Sequence, residues 1–233
     1  MFGKELVQNM GFVQMAPQDF NGAATGSAWI SLKDYGHATF VFMAGESADD
    51  AAITFKQALD TSGTSSKTLA FTKYWSNGQK LLIGSQSGTF SAGETITGGT
   101  SSLTAYVHTI SANYLLVIPL TGGTTWTSGE TITGGTSGAT AVVSGTGQDE
   151  DIMLDRTCSS TFTYPSVTFK TYLVEIDADS LDVENGFDHI QANIANPGGA
   201  SIGAGIFILS QPKQRGIPMP SAIGTQKIVA DFA

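Results

Sequence analysis

The chain has 233 residues, 28 glycines, a single cysteine, 13% charged residues and a net charge of −9. That length suits one large β domain, or a domain with a smaller insert. The acidic balance and the lack of any basic run disfavour counterion-driven binding to nucleic acid and attraction to an anionic membrane surface.

Residues 1–27 read as an arm. Leu6, Val7, Met10, Phe12, Val13 and Met15 follow no sustained period, and Gly11 would end a short helix over residues 4–10. Such a segment is either a frayed terminus or a docking arm. It lacks the apolar core of a signal peptide, and no apolar run in the chain is long enough to span a bilayer. A soluble protein made in a cytoplasm is expected. The lone Cys158 rules out an intrachain disulfide and fits that setting.

Residues 29–32 open the strand pattern. Residues 38–44, ATFVFMA, are apolar on both alternate faces, which predicts a central strand covered on both sides. Residues 52–59 alternate, with Ile53, Phe55 and Leu59 inward and Thr54 and Lys56 outward. Residues 68–75 alternate again, with Leu69 and Phe71 on one face. Ser76-Asn77-Gly78 is a turn signal.

The next stretch says the same thing twice. Residues 89–107 read TFSAGETITGGTSSLTAYV and residues 125–143 read TWTSGETITGGTSGATAVV, with 13 of 19 positions identical at an offset of 36. Each copy follows an apolar run, Leu81-Leu82-Ile83 or Leu115-Leu116-Val117. The pattern predicts two hairpins, with Gly98-Gly99 and Gly134-Gly135 supplying positive φ at the turns. Phe90 matches Trp126 and Ile96 matches Ile132, so these four are the expected core of an inserted unit.

Residues 148–155, QDEDIMLD, form the densest acidic run and read as a solvated loop leaving the insert. Residues 167–170 and 172–176 alternate as strands. Residues 177–188, DADSLDVENGFD, depart from a calcium loop, because Asp182 falls where that loop needs Gly; a turn at Asn185-Gly186 is expected instead. Residues 187–194 and 203–209 predict a final strand pair joined by ANPGGAS. Beyond Gln211, Pro212, Pro218 and Pro220 forbid a regular helix or central strand. The exposed apolar residues of this tail suit docking on a neighbour or packing on its own domain.

Together these patterns predict an all-β protein: an antiparallel β-sandwich, jelly-roll-like, made of residues 28–79 and 148–210. Residues 80–147 would be an inserted small β subdomain of two hairpin repeats, residues 1–27 an N-terminal arm and residues 211–233 an extended C-terminal tail. Catalytic chemistry is not apparent. His37, His108 and His189 lie far apart, and neither a nucleophile elbow nor a P-loop occurs. Arg156 near Cys158 would lower a thiol pKa, but a small half-buried cysteine is the plainer expectation. No catalytic residue, cofactor or metal site is expected, and the chain reads as a non-enzyme.

The string GETITGGTSGATA, residues 129–141, resembles a glycine- and threonine-rich β repeat of tailed-bacteriophage virion proteins. The rest resembles small phage structural proteins in three places: GKELVQNMGFV (residues 3–13), WISLKDYGHATFVF (29–42) and VEIDADSLDVENGFDHIQA (174–192). The resemblance implies a virion structural protein, most specifically a head decoration or cement protein on the capsid surface. Its partners would be the major capsid protein and copies of itself, with a trimer matching threefold positions of an icosahedral shell. Phe2, Leu6, Phe12, Ile217, Met219 and Ile223 are the expected docking residues. The alternative is a tail, neck or fibre component with the insert as an adhesive or glycan-binding projection.

Overall fold

Short runs of β-branched and aromatic residues, broken by Gly, Ser, Asn and Asp, fold as strands throughout. The computed structural model describes residues 10–121, 125–166 and 170–213. Within them the chain is an all-β protein whose strand pairs are antiparallel.

The large sheet contains β1 (Gly11–Asp19), β17 (Ser201–Pro212), β4 (Tyr35–Ser47), β15 (Lys170–Asp177) and β7 (Lys73–Ser87), side by side in that order. The small sheet is centred on β5 (Ala51–Ala58) and β16 (His189–Ile194). Its flanks are β14 (Thr161–Tyr164) and β6 (Lys67–Leu69) on β5, and β2 (Thr25–Gly26) and β3 (Ile30–Ser31) on β16. The two sheets enclose one core, including Phe40, Phe42, Val174 and Phe207 from the first and Ile53, Phe55, Tyr164 and Ile190 from the second. Aromatic rings cross between the layers, with Phe40 and Phe55 at 5.5 Å and Phe42 and Tyr164 at 5.4 Å. Gly203 and Gly205 of β17 make room for them: a Cβ at either would lie 2.7 Å from the ring of Phe42 or Phe40.

The repeats do not form two free hairpins. The strands β8 (Thr95–Gly98), β9 (Thr104–Ile110), β10 (Tyr114–Pro119), β11 (Thr131–Gly134) and β12 (Thr140–Val143) continue the large sheet from β7 in the order β10-β9-β8-β11-β12. Strand β12 then pairs back onto β7, where Thr140 faces Ser87 and Val143 faces Ile83. Six strands thus close a small barrel, which removes the edges that two hairpins would leave open. It has its own core, separate from that of the sandwich: Leu81, Ile83, Leu115, Val117 and Val143 surround Phe90, Ile96, Trp126 and Ile132.

Several expectations are corrected. Ser76-Asn77-Gly78 is not a turn but part of the 15-residue β7, which runs unbroken from sandwich to barrel. Gly78 is needed there because a Cβ would sit 2.5 Å from Leu154. That leucine belongs to β13 (Gln148–Thr157), so the acidic run is a strand paired on β7, not a loop; it is irregular only between Asp149 and Met153. Residues 11–19, expected in the arm, form the outermost strand, β1. The final strand pair does not exist: β16 lies in the small sheet and β17 in the large one, so ANPGGAS crosses between layers. Residues 177–188 form two 3-10 turns, Ala178–Ser180 and Val183–Asn185, with Gly186 left-handed at φ +82. The expected helix over residues 4–10 lies almost wholly outside the described residues, as does most of the strand expected at 167–170.

A polar chain, buried at Trp126, Gln79 and Lys170 and exposed at Asp149, couples barrel to sandwich. The Trp126 indole N–H donates to Gln79 Oε1 at 2.9 Å. Gln79 Nε2 reaches Asp149 Oδ1 at 3.5 Å, and Lys170, 4% exposed, donates to the same oxygen.

Candidate assembly surfaces

The sandwich has a direction. Gly11, at the start of β1, faces Leu209, and Pro212, at the end of β17, faces Tyr35. The chain therefore enters the sheet and leaves it at the same end. At the other end Lys170, the first residue of β15, faces Ala44, while β7 pairs Trp75 with Leu173 and runs on past that point into the barrel. The 13 residues of β4 span the sheet between these two ends, roughly 40 Å at the usual rise per residue.

The outer face of the large sheet carries an apolar band among polar residues such as Gln14, Thr39 and Glu175. Residues opposite one another across a pair share a face. Phe12 faces Ile208, Ile206 faces Val41, Val41 faces Leu173 and Leu173 faces Trp75, so one band crosses all five strands. Met43 and Ile202, also on this side, are 51% and 56% exposed. This corrects the expectation for residues 38–44. Ala38, Phe40, Phe42 and Ala44 are buried against the small sheet, but no described element covers Val41 and Met43. The band ends beside Trp75 at a polar rim, where Asp155 accepts from Lys73 Nζ at 2.9 Å and His108 Nε2 at 3.0 Å. Hydrogen bonds from those two groups hold its carboxyl down at about 2.

The barrel is organised by a reciprocal pair of buried glutamates. Glu94 and Glu130, each 4% exposed, occupy the same place in the two repeats. Strands β8 and β11 pair so that Thr97 faces Thr133, its own counterpart, which relates the copies by a local two-fold. The side chain of Glu94 therefore reaches the other copy's turn, accepting from the N–H groups of Thr136 and Ser137 at 3.1 and 2.9 Å and from Ser137 Oγ at 2.8 Å. It also accepts from Ser91 N–H in its own copy at 2.6 Å. Glu130 mirrors this with Thr100 N–H, Ser101 N–H and Oγ, and Thr127 N–H. Burial alone would raise both carboxyl pKa values. The donors outweigh it and hold both below the ordinary value, so the glutamates stay ionised.

This clasp changes the role of the paired glycines. Positive φ falls at Ser102 and Gly138, not at the Gly-Gly pairs. A Cβ on Gly98 would lie 2.4 Å from Ser101 Oγ and 2.6 Å from Glu130 Oε2, and Gly134 stands in the same relation to Ser137 and Glu94. These glycines admit the carboxylates.

One cleft, about 510 Å³, is lined by Asp50, Tyr74, Arg156, Cys158 and Phe162. Burial pushes the Cys158 thiol up to about 11 despite the nearby Arg156, whose guanidinium donates to Tyr74 Oη at 3.3 Å. The histidines stand apart, His37 against Ser210, His108 against Asp155 and His189 against Asp188. Among the described residues no three His, Cys, Asp or Glu side chains gather as metal ligands.

Of the expected docking residues, Phe12 lies half-buried on β1 in the apolar band. Phe2, Leu6, Ile217, Met219 and Ile223 lie outside the described residues. Phe90, Ile96, Trp126 and Ile132 are all buried in the barrel, so Phe90 and Trp126 are not available for stacking on a sugar. Glu94 and Glu130 were not singled out from the sequence, although a glutamate repeated inside an otherwise uncharged stretch is the signal that marks them.

No protein-family model matches the chain, and no curated protein matches it. A solved structure titled "Structure of infectious bursal disease virus Gx strain" aligns at 9% identity over 91% of this chain and 45% of that one, with a TM-score of 0.08. A likeness at that score says nothing about the fold or role of this chain.

Proposed function

We propose that the chain is a non-enzymatic structural protein of a tailed-phage virion, a head decoration or cement protein that binds the lattice of the major capsid protein and stabilises the head. The observation that supports this best is the direction of the molecule. The described parts of the segments resembling phage structural proteins lie in the sandwich, and β1 begins and β17 ends at the same end of it. The repeat barrel stands at the other, on a strand continuous with the sandwich. A body docked by its terminal end would hold the barrel outward, and many weak contacts repeated over a lattice would add through multivalency. A net charge of −9 keeps the surface soluble at high copy number. The test is addition of the purified protein to shells lacking it. Binding with a rise in the temperature at which the shells open is expected; failure to bind refutes the role. The barrel's outward position also fits a tail, neck or fibre projection. Copy number per particle separates the two, hundreds for a decoration protein and three to twelve for a tail or neck part.

A further inference from the structure

At one flank of the sandwich the chain crosses from sheet to sheet. Strand β13 pairs only with β7 and β14 only with β5, and residues 158–160 join them. The cleft of about 510 Å³ lies along this crossing, with Leu120, just past β10 of the barrel, also on its wall. Its volume falls in the range of small-molecule sites, which favour junctions between structural units. Tyr74 and Phe162, buried and stacked at 4.4 Å, form its apolar side. Arg156 is fixed there from two directions. Its guanidinium lies 5.2 Å from the centre of the Tyr106 ring on β9, and it donates to Tyr74 Oη on β7 at 3.3 Å. A guanidinium has five N–H donors, and a single one is engaged here among the described residues. Lys67, Lys73 and Lys170 each hold a carboxylate, whereas no described carboxylate lies within 4.0 Å of Arg156. A half-buried guanidinium with its direction set and its donors free fits a planar carboxylate, two oxygens against two N–H groups. The remaining lining suits hydroxyl groups. Asp50 accepts Ser166 N–H on one oxygen at 2.8 Å, which leaves the other free to accept among the described residues. Thr157, Thr161 and Thr163 add three hydroxyls. The Asp50 charge also opposes a ligand with a second negative charge, such as phosphate.

We infer that this cleft binds a sugar acid, with the ligand's carboxylate on Arg156 and its ring hydroxyls on Asp50 and the threonines. Thr157 and Thr163 are exposed, so the site admits either a free sugar acid or a uronate residue of a longer saccharide. The inference goes beyond the role proposed above and does not depend on it.

The experiment is calorimetric titration of the full-length protein with glucuronate, galacturonate and a galacturonate oligosaccharide. Saturable binding at one site is expected, with glucose and inorganic phosphate at least about tenfold weaker. Tighter binding of the oligosaccharide identifies a polysaccharide as the source, and equal binding identifies the free acid. Arg156→Gln should lower uronate affinity at least about tenfold. Lys80→Gln removes a cation stacked 4.9 Å over Tyr114 outside this cleft, and should change affinity less than about twofold. Asp50→Asn separates a sugar acid from a bare anion. Uronate affinity should fall about threefold or more, because a carboxylate accepts a hydroxyl proton better than an amide does, while acetate should bind as well or better. Asp50 is exposed, so this variant carries the test if Arg156→Gln does not fold. Absence of saturable uronate binding overturns the inference, as does phosphate binding of equal strength. Unchanged affinity in Arg156→Gln, or an Asp50→Asn that tightens uronate and acetate alike, also overturns it and leaves an adventitious ion only. Shell binding by a protein that fails these titrations leaves the proposed role standing and removes only this site.

Discussion

The glutamate clasp makes the sharpest prediction. In Glu94→Ala the N–H groups of Ser91, Thr136 and Ser137 and the hydroxyl of Ser137 lose their shared acceptor. A hydrogen bond to a charged group contributes roughly 1.5–3 kcal/mol net. Thr136 and Ser137 lie in an exposed turn, so water takes up part of the loss and about 1 kcal/mol per donor is the working figure. The sum is about 3 to 4 kcal/mol. Glu94→Gln keeps one acceptor oxygen but turns an amide NH₂ toward the remaining donors, which costs about 2 kcal/mol. For a chain of this length 1 kcal/mol moves the midpoint by about 2–4 °C, so about 4–8 °C is expected for Gln and more for Ala. Calorimetry, with Trp126 fluorescence read in a Trp29→Phe/Trp75→Phe background, reports the barrel. The local two-fold requires Glu130→Gln to match Glu94→Gln closely. If either left the transition within 1 °C of the parent, or if the two differed by more than about 2 kcal/mol, the reciprocal clasp would not be what holds the barrel. The pH dependence has a definite sign. Hydrogen bonding lowers both carboxyl pKa values against the opposing effect of burial, so the contribution is present above the ordinary glutamate value of 4.5. It is lost as pH falls through the lowered folded-state values. The parent should lose barrel stability on acidification below pH 4.5, and Glu94→Gln/Glu130→Gln should lack that part of the slope.

Other predictions follow from single contacts. Gly98→Ala or Gly134→Ala drives a methyl into the clasp and should destabilise the barrel by about 2 to 4 kcal/mol in urea unfolding. Gly84→Ala, with nothing within 4 Å of its Cβ, should change stability by less than about 1 kcal/mol. Ser102 holds φ +58 where the second repeat has Gly138, so Ser102→Gly should raise the midpoint by the equivalent of about 0.5–1 kcal/mol. Cys158, with its thiol pushed up to about 11, should resist iodoacetamide at pH 8 in the folded protein and react readily once unfolded. Lys80 and Gln148 face each other on β7 and β13, so a two-residue Asn-Gly turn can replace residues 81–147. The shortened chain should remain folded by circular dichroism and still bind shells. Loss of binding in a folded product would place the attachment surface in the barrel.

Much of this protein is determined locally. Period-2 alternation and turn residues assign the strands, because side chains of an extended chain alternate faces whatever their partners. The matched sentences at 89–107 and 125–143 likewise set Phe90 with Trp126 and Ile96 with Ile132 as equivalent core positions. Partnership between strands is another matter, because it depends on which distant segments meet. Asn77-Gly78 has the composition of a hairpin turn, yet it lies inside β7 because β13 packs against it and Leu154 needs the space of a missing Cβ. The alternating apolar residues of β4 do not say whether one or both faces are covered; the single small sheet covers one and leaves Val41 half-buried and Met43 exposed. Two Gly-Gly pairs read in isolation are turns. Only the antiparallel meeting of β8 and β11 makes them the openings through which each repeat's glutamate holds the other's loop. The sequence by itself determined the all-β class, many of the strands, the repeat and its core. Tertiary structure decided the barrel closure, the apolar band of the outer face and the direction of the molecule, since each is a relation between segments far apart in the chain.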